Sequence, residues 1–252
     1  MAKFQGNMKI ISKVKLANDV YEMILSGEGA KYISAPGQFI NIRISDSLQP
    51  YLRRPMSICD YTNNSITIIF KVVGEGTKIL ATKQVGEILD CLIGLGNGFT
   101  LQQEGKALLI GGGLGVPPLY YVGRKLKEQG IEVTTILGFG SKKDVFYAEK
   151  FATFGNVFVA TMDGSMGTKG TVIDVMQEQN LLYDQYYSCG PEPMLHALAR
   201  SYADNGQLSF ESRMGCGFGA CMGCSCKVLN APYKRICVEG PILYASEVIV
   251  NG

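Results

Sequence analysis

Four cysteines in this chain carry the spacing of a metal centre. Cys216, Cys221 and Cys224 stand as C-x4-C-x2-C, and Cys237 follows after twelve intervening residues. That run, with a fourth thiolate further on, is the spacing that wraps a [2Fe–2S] cluster. Three sulfurs converge on so small a group only if the backbone curls tightly and turns its N–H groups inward. Gly215, Gly217, Gly219 and Gly223 allow that path because they carry no Cβ. Inward N–H groups would also hydrogen-bond the cluster sulfurs and tune its potential. Four thiolates could instead make a structural zinc site, but zinc usually takes two C-x2-C pairs and the second is missing. A disulfide framework fits less well, since no export signal is apparent and Cys59, Cys91 and Cys189 are scattered singly. Cys226, two residues beyond Cys224, is left out of the ligand set, because alternation of an extended segment turns it away as a small apolar residue.

Two glycine-rich turns point to nucleotides. Gly111-Gly112-Gly113-Leu114-Gly115-Val116-Pro117-Pro118 follows an apolar strand and opens a helix, where bare backbone admits a pyrophosphate to the helix N-terminus. The third glycine of G-x-G-x-x-G is missing, so a tight structural turn is the competing reading. Ser188-Cys189-Gly190-Pro191-Glu192-Pro193-Met194 falls at the carboxyl end of a later strand, the edge at which open α/β sheets bind ligands. Cys189 could pack on a nicotinamide ring or be a buried core thiol, and Asp163-Gly164 could meet a ribose hydroxyl or simply turn the chain. Earlier in the chain, Arg53-Arg54-Pro55-Met56-Ser57 offers a guanidinium fork for a diphosphate, against the ordinary reading of a solvated arginine pair. Lys71-Val72-Val73-Gly74-Glu75-Gly76-Thr77 ends a strand and opens a helix, placing backbone and hydroxyl donors at Gly76 and Thr77.

Three segments must position these groups. Up to Gln103, short runs (Val20 to Leu25, Gln38 to Ile44, Ser65 to Val73) separated by turns predict an antiparallel barrel or sandwich, with a short helix over Thr77 to Thr82. From there to Phe210 the rhythm is strand, helix, strand. Strands are expected over Ala107 to Ile110, Glu132 to Leu137, Asn156 to Thr161 and Gln185 to Ser188, and helices over Pro117 to Gln129, Thr171 to Gln179 and Glu192 to Asp204. That alternation predicts a parallel sheet covered on both faces. The segment from Glu211 carries the cysteine set and is too small for a large core, so its metal would supply much of its folding energy. Boundaries follow at residues 1–103, 104–210 and 211–252. A formal charge of +2 with dispersed lysines and arginines excludes an electrostatic footprint for nucleic acid. Apolar runs such as Ile66 to Phe70 are strand-length, so no membrane span is expected and the chain reads as cytoplasmic.

R-P-x-S, G-x-G-T, G-G-G-x-G-x-x-P, C-G-P-x-P-M and the cysteine set occur in order across nearly the whole chain. Together they resemble the ferredoxin–NADP reductase superfamily. More narrowly, Phe210-Glu211-Ser212-Arg213-Met214 running into the cysteine loop is similar to the electron-transfer subunits of class 1B dihydroorotate dehydrogenases. The resemblance implies an FAD-binding six-stranded barrel, an NAD-binding α/β domain and a C-terminal [2Fe–2S] module. It implies that Arg54, Pro55, Met56 and Ser57 hold the flavin, that Lys71, Val72 and Val73 line it, and that Gly76 and Thr77 hold its diphosphate. Gly112, Gly113, Leu114 and Gly115, with Cys189, Gly190 and Pro191, would frame the nicotinamide nucleotide, and Cys216, Cys221, Cys224 and Cys237 would ligate the cluster. Ile93-Gly94 stands where the family commonly has Gly-Pro, leaving the contacts of that loop open. The implied activity takes electrons from the FMN of a dihydroorotate-oxidising partner, in a heterotetramer of two of each subunit, to NAD+ in pyrimidine biosynthesis. A subunit of NADH-dependent ferredoxin:NADP oxidoreductase or sulfide dehydrogenase is the alternative. No acid–base or nucleophile constellation accompanies the motifs, and the single histidine, His196, falls on a helix as a structural residue, so the organic substrate is expected to react in the partner. Phe218 and Met222 are expected to form the apolar docking patch. The absence of an arginine pocket after the second strand favours NAD over NADP, with Lys142 and Lys143 leaving the choice open.

Overall fold

In the computed structural model, which describes residues 3–45, 47 and 49–250, the first segment closes on itself. Strands β1 (Phe4–Ala17), β2 (Val20–Ser26), β3 (Phe39–Ile42), β4 (Arg54–Tyr61), β5 (Ser65–Lys71) and β6 (Ile88–Leu95) form an antiparallel barrel in the order β1-β2-β5-β4-β3-β6, with β6 returning to β1. Closure leaves no open sheet edge. Alternate residues fill it: Met23 and Leu25 on β2 face inward and pair in register with Ile68 and Ile66 of β5, all fully buried. Helix α1 (Glu75–Thr82) begins two residues earlier than the sequence pattern suggests. Thr77 explains the early start, since its hydroxyl accepts from the amides of Val73 and Gly74 at 3.0 and 3.1 Å and organises the turn that enters the helix.

The second segment alternates as expected. It comprises β7 (Lys106–Gly112), α2 (Val116–Glu128), β8 (Glu132–Phe139), α3 (Ala148–Ala152), β9 (Gly155–Thr161), β10 (Thr168–Lys169), α4 (Val172–Gln179), β11 (Gln185–Cys189), α5 (Glu192–Ser201) and β12 (Gly206–Ser209). Helix α2 buries Val116, Leu119, Val122 and Leu126, a stripe at helical spacing, and its first turn holds Pro117 and Pro118, whose missing donors cost nothing there. It packs with Phe151 of α3 on one face of the sheet, while Val172 and Val175 of α4 and Leu195 and Leu198 of α5 cover the other. His196 lies on α5, 3.7 Å from Glu192 one turn back.

The cysteine-bearing segment adds β13 (Ser225–Cys226), β14 (Lys234–Arg235) and β15 (Ile242–Tyr244). Rather than standing alone, it sends β15 to the edge of the larger sheet, antiparallel to β12, giving the order β10-β9-β8-β7-β11-β12-β15. Its buried Val228, Ile236, Leu243 and Val248 share one core with Leu208 of the sheet, Leu198 of α5 and Phe39 and Leu95 of the barrel. Neighbouring elements therefore supply the core this segment is too small to build. Asn97, just after β6, ties it down by donating to the carbonyls of Glu239 and Ile242 at 3.0 and 2.9 Å and accepting from Ile242 N at 2.9 Å. The barrel docks on α2 through an Arg124–Asp60 ion pair at 2.7 Å and the edge-on rings of Tyr61 and Tyr121. Among the described residues no helix is long and apolar enough to cross a membrane.

Candidate functional site

A cleft of about 350 Å³ runs along the seam between barrel and sheet. Its barrel wall holds Arg54, Pro55, Met56 and Ser57 of β4, Lys71 at the end of β5, and Val73 and Thr77 at the entrance to α1. Eight predicted residues meet here, since Leu114 of the glycine turn also reaches this cleft. Val72 is half-buried and outside the lining. Gly76 lies directly beneath the Arg54 guanidinium, where a Cβ would strike it, so glycine is what lets the guanidinium lie flat on the helix start. The Thr77 hydroxyl donates to Gly74 O at 3.0 Å. Its hydrogen is thereby engaged, and the free donors at this helix start are the first-turn amides.

The opposite wall carries residues to which the sequence reading gave no place in the site. Ser209, Phe210, Glu211, Ser212 and Met214 lead from the last parallel strand to the cysteine loop and line the cleft along with Pro241. Burial pushes the Glu211 carboxyl above the usual carboxylate range. The run Phe210 to Met214 carries the narrower resemblance in the sequence, but nothing in it marks these residues as a cleft wall.

A second hollow, a groove of about 220 Å³, opens at the carboxyl ends of β7, β8, β9 and β11. Gly112, Gly113 and Pro191 line it as expected, joined by Gly138, Phe139, Met162, Gly170, Thr171 and Met194. Gly113 takes φ +54 with open space where a side chain would be, the close-approach geometry a nucleotide needs. Gly115 serves packing: a Cβ there would collide with the Cys189 carbonyl, so the start of α2 could not approach β11. Gly190 is likewise pressed against Met194 and Gly112. Of the two readings of Cys189, the structure shows a side chain only 2% exposed, with burial pushing its thiol up to about 12. Asp163 turns the chain at the end of β9, accepting from Ser165 N and Ser165 Oγ at 3.0 and 2.5 Å.

The four motif cysteines form two pairs. Cys224 Sγ and Cys237 Sγ stand 3.2 Å apart and buried, and Cys237 N donates to Cys224 Sγ at 3.5 Å. On the outer side, Cys216 Sγ accepts from Ala220 N and Cys221 N at 3.2 and 3.4 Å, while Cys221 Sγ accepts from Cys216 N and Gly223 N at 3.4 and 3.5 Å. The inward-turned amides expected of this loop are thus present. Burial opposes the Cys216 thiolate, but the amides of Phe218, Cys221 and Ala220 outweigh it and bring the thiol down to about 6. Among the described residues no three His, Cys, Asp or Glu side chains gather round one point. Two thiol pairs match a centre with two irons, each taking two sulfurs. Cys226 sits on β13, two residues beyond Cys224.

The loop is held against the barrel. Gly217, at φ +75, packs on Asn41 of β3, whose amide donates to Cys216 O at 3.4 Å. Asn41 is fully buried and pairs in register with Pro55 of the cleft wall, so one residue separates the thiol loop from the cleft. Arg235 fastens the far side, donating to Gly219 O at 2.9 Å and pairing with Glu239. Phe218 and Met222 are 46% and 41% exposed beside the loop, with Tyr51 and Leu52 at 76% and 48%.

A closed antiparallel barrel joined to a parallel nucleotide-type sheet, with a cleft along their seam and a four-thiol loop at its side, defines a flavin-dependent reductase carrying its own metal relay. Residues 211–249 match the family model described as the iron-sulfur cluster binding domain of dihydroorotate dehydrogenase B. The dihydroorotate dehydrogenase B (NAD(+)) electron transfer subunit of Shouchella clausii is 46% identical over 99% of this chain and 100% of its own length. Its namesake from Fusobacterium nucleatum is 47% identical over 94% and 96%. Among solved structures, an NADH-dependent reduced ferredoxin-NADP oxidoreductase studied for flavin-based electron bifurcation superposes with a TM-score of 0.87 at 30% identity, over 96% of this chain and 90% of that one. The chain belongs to the family of dihydroorotate dehydrogenase B electron transfer subunits.

Proposed function

We propose that this chain is the electron-transfer subunit of an NAD-dependent dihydroorotate dehydrogenase in cytoplasmic pyrimidine biosynthesis. Electrons from dihydroorotate, oxidised at the FMN of a catalytic partner, pass by way of a [2Fe–2S] cluster and FAD to NAD+. The observation that carries this reading is the thiol loop set beside the cleft on the barrel–sheet seam, with one glycine turn lining both that cleft, through Leu114, and the groove, through Gly112 and Gly113. FAD supplies exchange between single electrons and a hydride, and the rest of the chemistry here is binding and placement.

In this reading Arg54, the α1 amides at Gly76 and Thr77, and Ser57 hold the flavin, with Pro55, Met56 and Lys71 to Val73 along its length. Arg54 meets a diphosphate as a planar fork, and the helix start adds its positive end. Gly112, Gly113 and Pro191 frame the nicotinamide nucleotide, while Leu114, Gly115, Cys189 and Gly190 set the turn that shapes the groove. Cys216 and Cys221 take one iron and Cys224 and Cys237 the other. The residue limits 1–103, 104–210 and 211–252 mark the three functional units, although β15 shows that the last leans on the second. The partner covers the exposed Phe218, Met222, Tyr51 and Leu52 in an assembly of two of each subunit.

The ferredoxin:NADP oxidoreductase or sulfide dehydrogenase alternative has the weaker support, 30% identity to a solved NADH-dependent reduced ferredoxin-NADP oxidoreductase against 46% for the first reading. Purifying the catalytic partner with and without this chain, then measuring NAD+-dependent orotate formation, tests the proposal. Activity should require this chain, and equal rates without it would defeat the reading.

A further inference from the structure

A charged network on the far side of the α2 interface ties the barrel to the wall of the nucleotide groove. Tyr147 enters α3 with φ +67, the left-handed region that disfavours a bulky side chain unless its surroundings enforce it. Its hydroxyl donates to the Glu22 carboxylate on β2 of the barrel, and Lys150 Nζ donates to the same oxygen at 3.1 Å. Lys150 also stands 3.9 Å over the Tyr147 ring. The hydroxyl faces a second barrel group, the fully buried Cys59 thiol on β4. Tyr147 is 8% exposed and the Glu22 side chain 13%, so this contact is largely shielded from water.

From Tyr147 a run of rings leads to the groove. Phe146 packs edge-on against Phe139 with centroids 5.4 Å apart, and Phe139 lines the groove at the end of β8. The segment between them is fixed at its other end to the β9 turn, where Asp163 N donates to Gly140 O at 3.3 Å and Lys142 N to Ser165 Oγ at 2.8 Å. One groove wall is therefore anchored to its own sheet on one side and to the flavin-bearing barrel on the other.

We propose that Tyr147 is a positioning residue for the nicotinamide nucleotide, holding the β8–α3 wall of the groove in register with the barrel through Glu22 and Cys59. The inference rests on the groove being the nucleotide site. Tyr147→Phe keeps the ring and removes only the hydroxyl, so packing is retained while the link across the domains is cut.

The test uses the chain in complex with its partner, loaded with its cofactors, with NADH as donor and ferricyanide as acceptor. Loss of one hydrogen bond to a shielded carboxylate predicts a rise of about tenfold in KM for NADH. A smaller change in kcat would mark loss of binding rather than of chemistry. Glu22→Gln, which keeps an acceptor oxygen, should raise KM less. The double variant should be no worse than Tyr147→Phe alone, because both changes break the same link. A melting temperature that falls while KM stays put would make Tyr147 a purely structural residue and overturn the inference, as would fully additive effects. Failure of the unaltered complex to bind NADH would instead sink the groove assignment. Should Tyr147→Phe not fold, Glu22→Gln and Lys150→Met carry the same comparison from the other side of the contact.

Discussion

Gly76→Ala separates flavin binding from folding. A Cβ at this position lies 2.8 and 2.9 Å from Cζ and Nη2 of Arg54 and closer still to Nε, distances no real Cβ sustains. Arg54 is the far end of a flexible side chain, held by a bond of 2.6 Å from Nη1 to Leu52 O, so it swings aside instead of straining the backbone. Gly76 is the second residue of α1, so the exchange gains only part of the up to ~1 kcal/mol by which alanine exceeds glycine in a helix interior. Stability should therefore hold or rise. Binding should not, because a charge-assisted hydrogen bond from Arg54 to a diphosphate contributes about 1.5–3 kcal/mol, and its loss weakens FAD affinity roughly 10- to 150-fold. Flavin-stripped protein titrated with FAD, followed by quenching of flavin fluorescence, reads the affinity, and a melting curve reads the fold. Arg54→Met should weaken binding to a similar degree, with no further loss in the double variant. A well-folded Gly76→Ala protein that binds FAD as tightly as the unaltered chain would refute the role given to Arg54.

Two further outcomes follow from the site geometry. Cys224→Ser should abolish the visible absorbance and acid-labile sulfide of anaerobically purified protein, whereas Cys226→Ser should leave both intact; equal loss in the two variants would return Cys226 to the ligand set. At the groove rim, Thr171 caps α4 with its hydroxyl oxygen, which accepts from Asp174 N at 3.4 Å, and in return the Asp174 carboxylate accepts from Thr171 N at 2.6 Å and from its hydroxyl at 2.7 Å, bonds that hold the carboxyl below its usual 3.8. A depressed carboxyl contributes its stabilisation above the unfolded value and loses it as pH falls through the folded one. Protection of the α4 amides relative to their intrinsic exchange should thus hold down to pH 3.8 and fall only below it. Thr171→Ala should cost about 1 kcal/mol at neutral pH and flatten that dependence.

The features legible in the sequence are those that local chemistry dictates. The cysteine spacing, the glycine turns after β7 and before α1, and the change from period-two to alternating strand and helix all arise within a few residues, and each sits in the structure where its pattern places it. Asn41 escaped because a polar residue in the run Phe39-Ile40-Asn41-Ile42 looks like the solvent-facing member of an alternating strand. It is buried only because the cysteine loop, 175 residues later, lies over it. Glu211 and Phe210 gained their place in the cleft from the turn linking β12 to that loop, and nothing in their own neighbourhood encodes it. The early start of α1 and the joining of β15 to the main sheet share that cause, a partner distant in sequence or a hydroxyl acting on the backbone, to which residue periodicity is blind.

These distant contacts also bear on how the chain could pass electrons. The thiol loop touches the barrel at Asn41, the β6 end at Asn97 and the main sheet at β15, so its placement beside the cleft is set by three separate attachments. Each joins elements far apart in sequence, and loosening one leaves two. A mobile carrier would need the opposite design, with few contacts and a polar linker. The segment from Ser209 to Met214 that links sheet to loop is instead itself part of the cleft wall. Transfer between the loop and the cleft is accordingly a property of the folded frame.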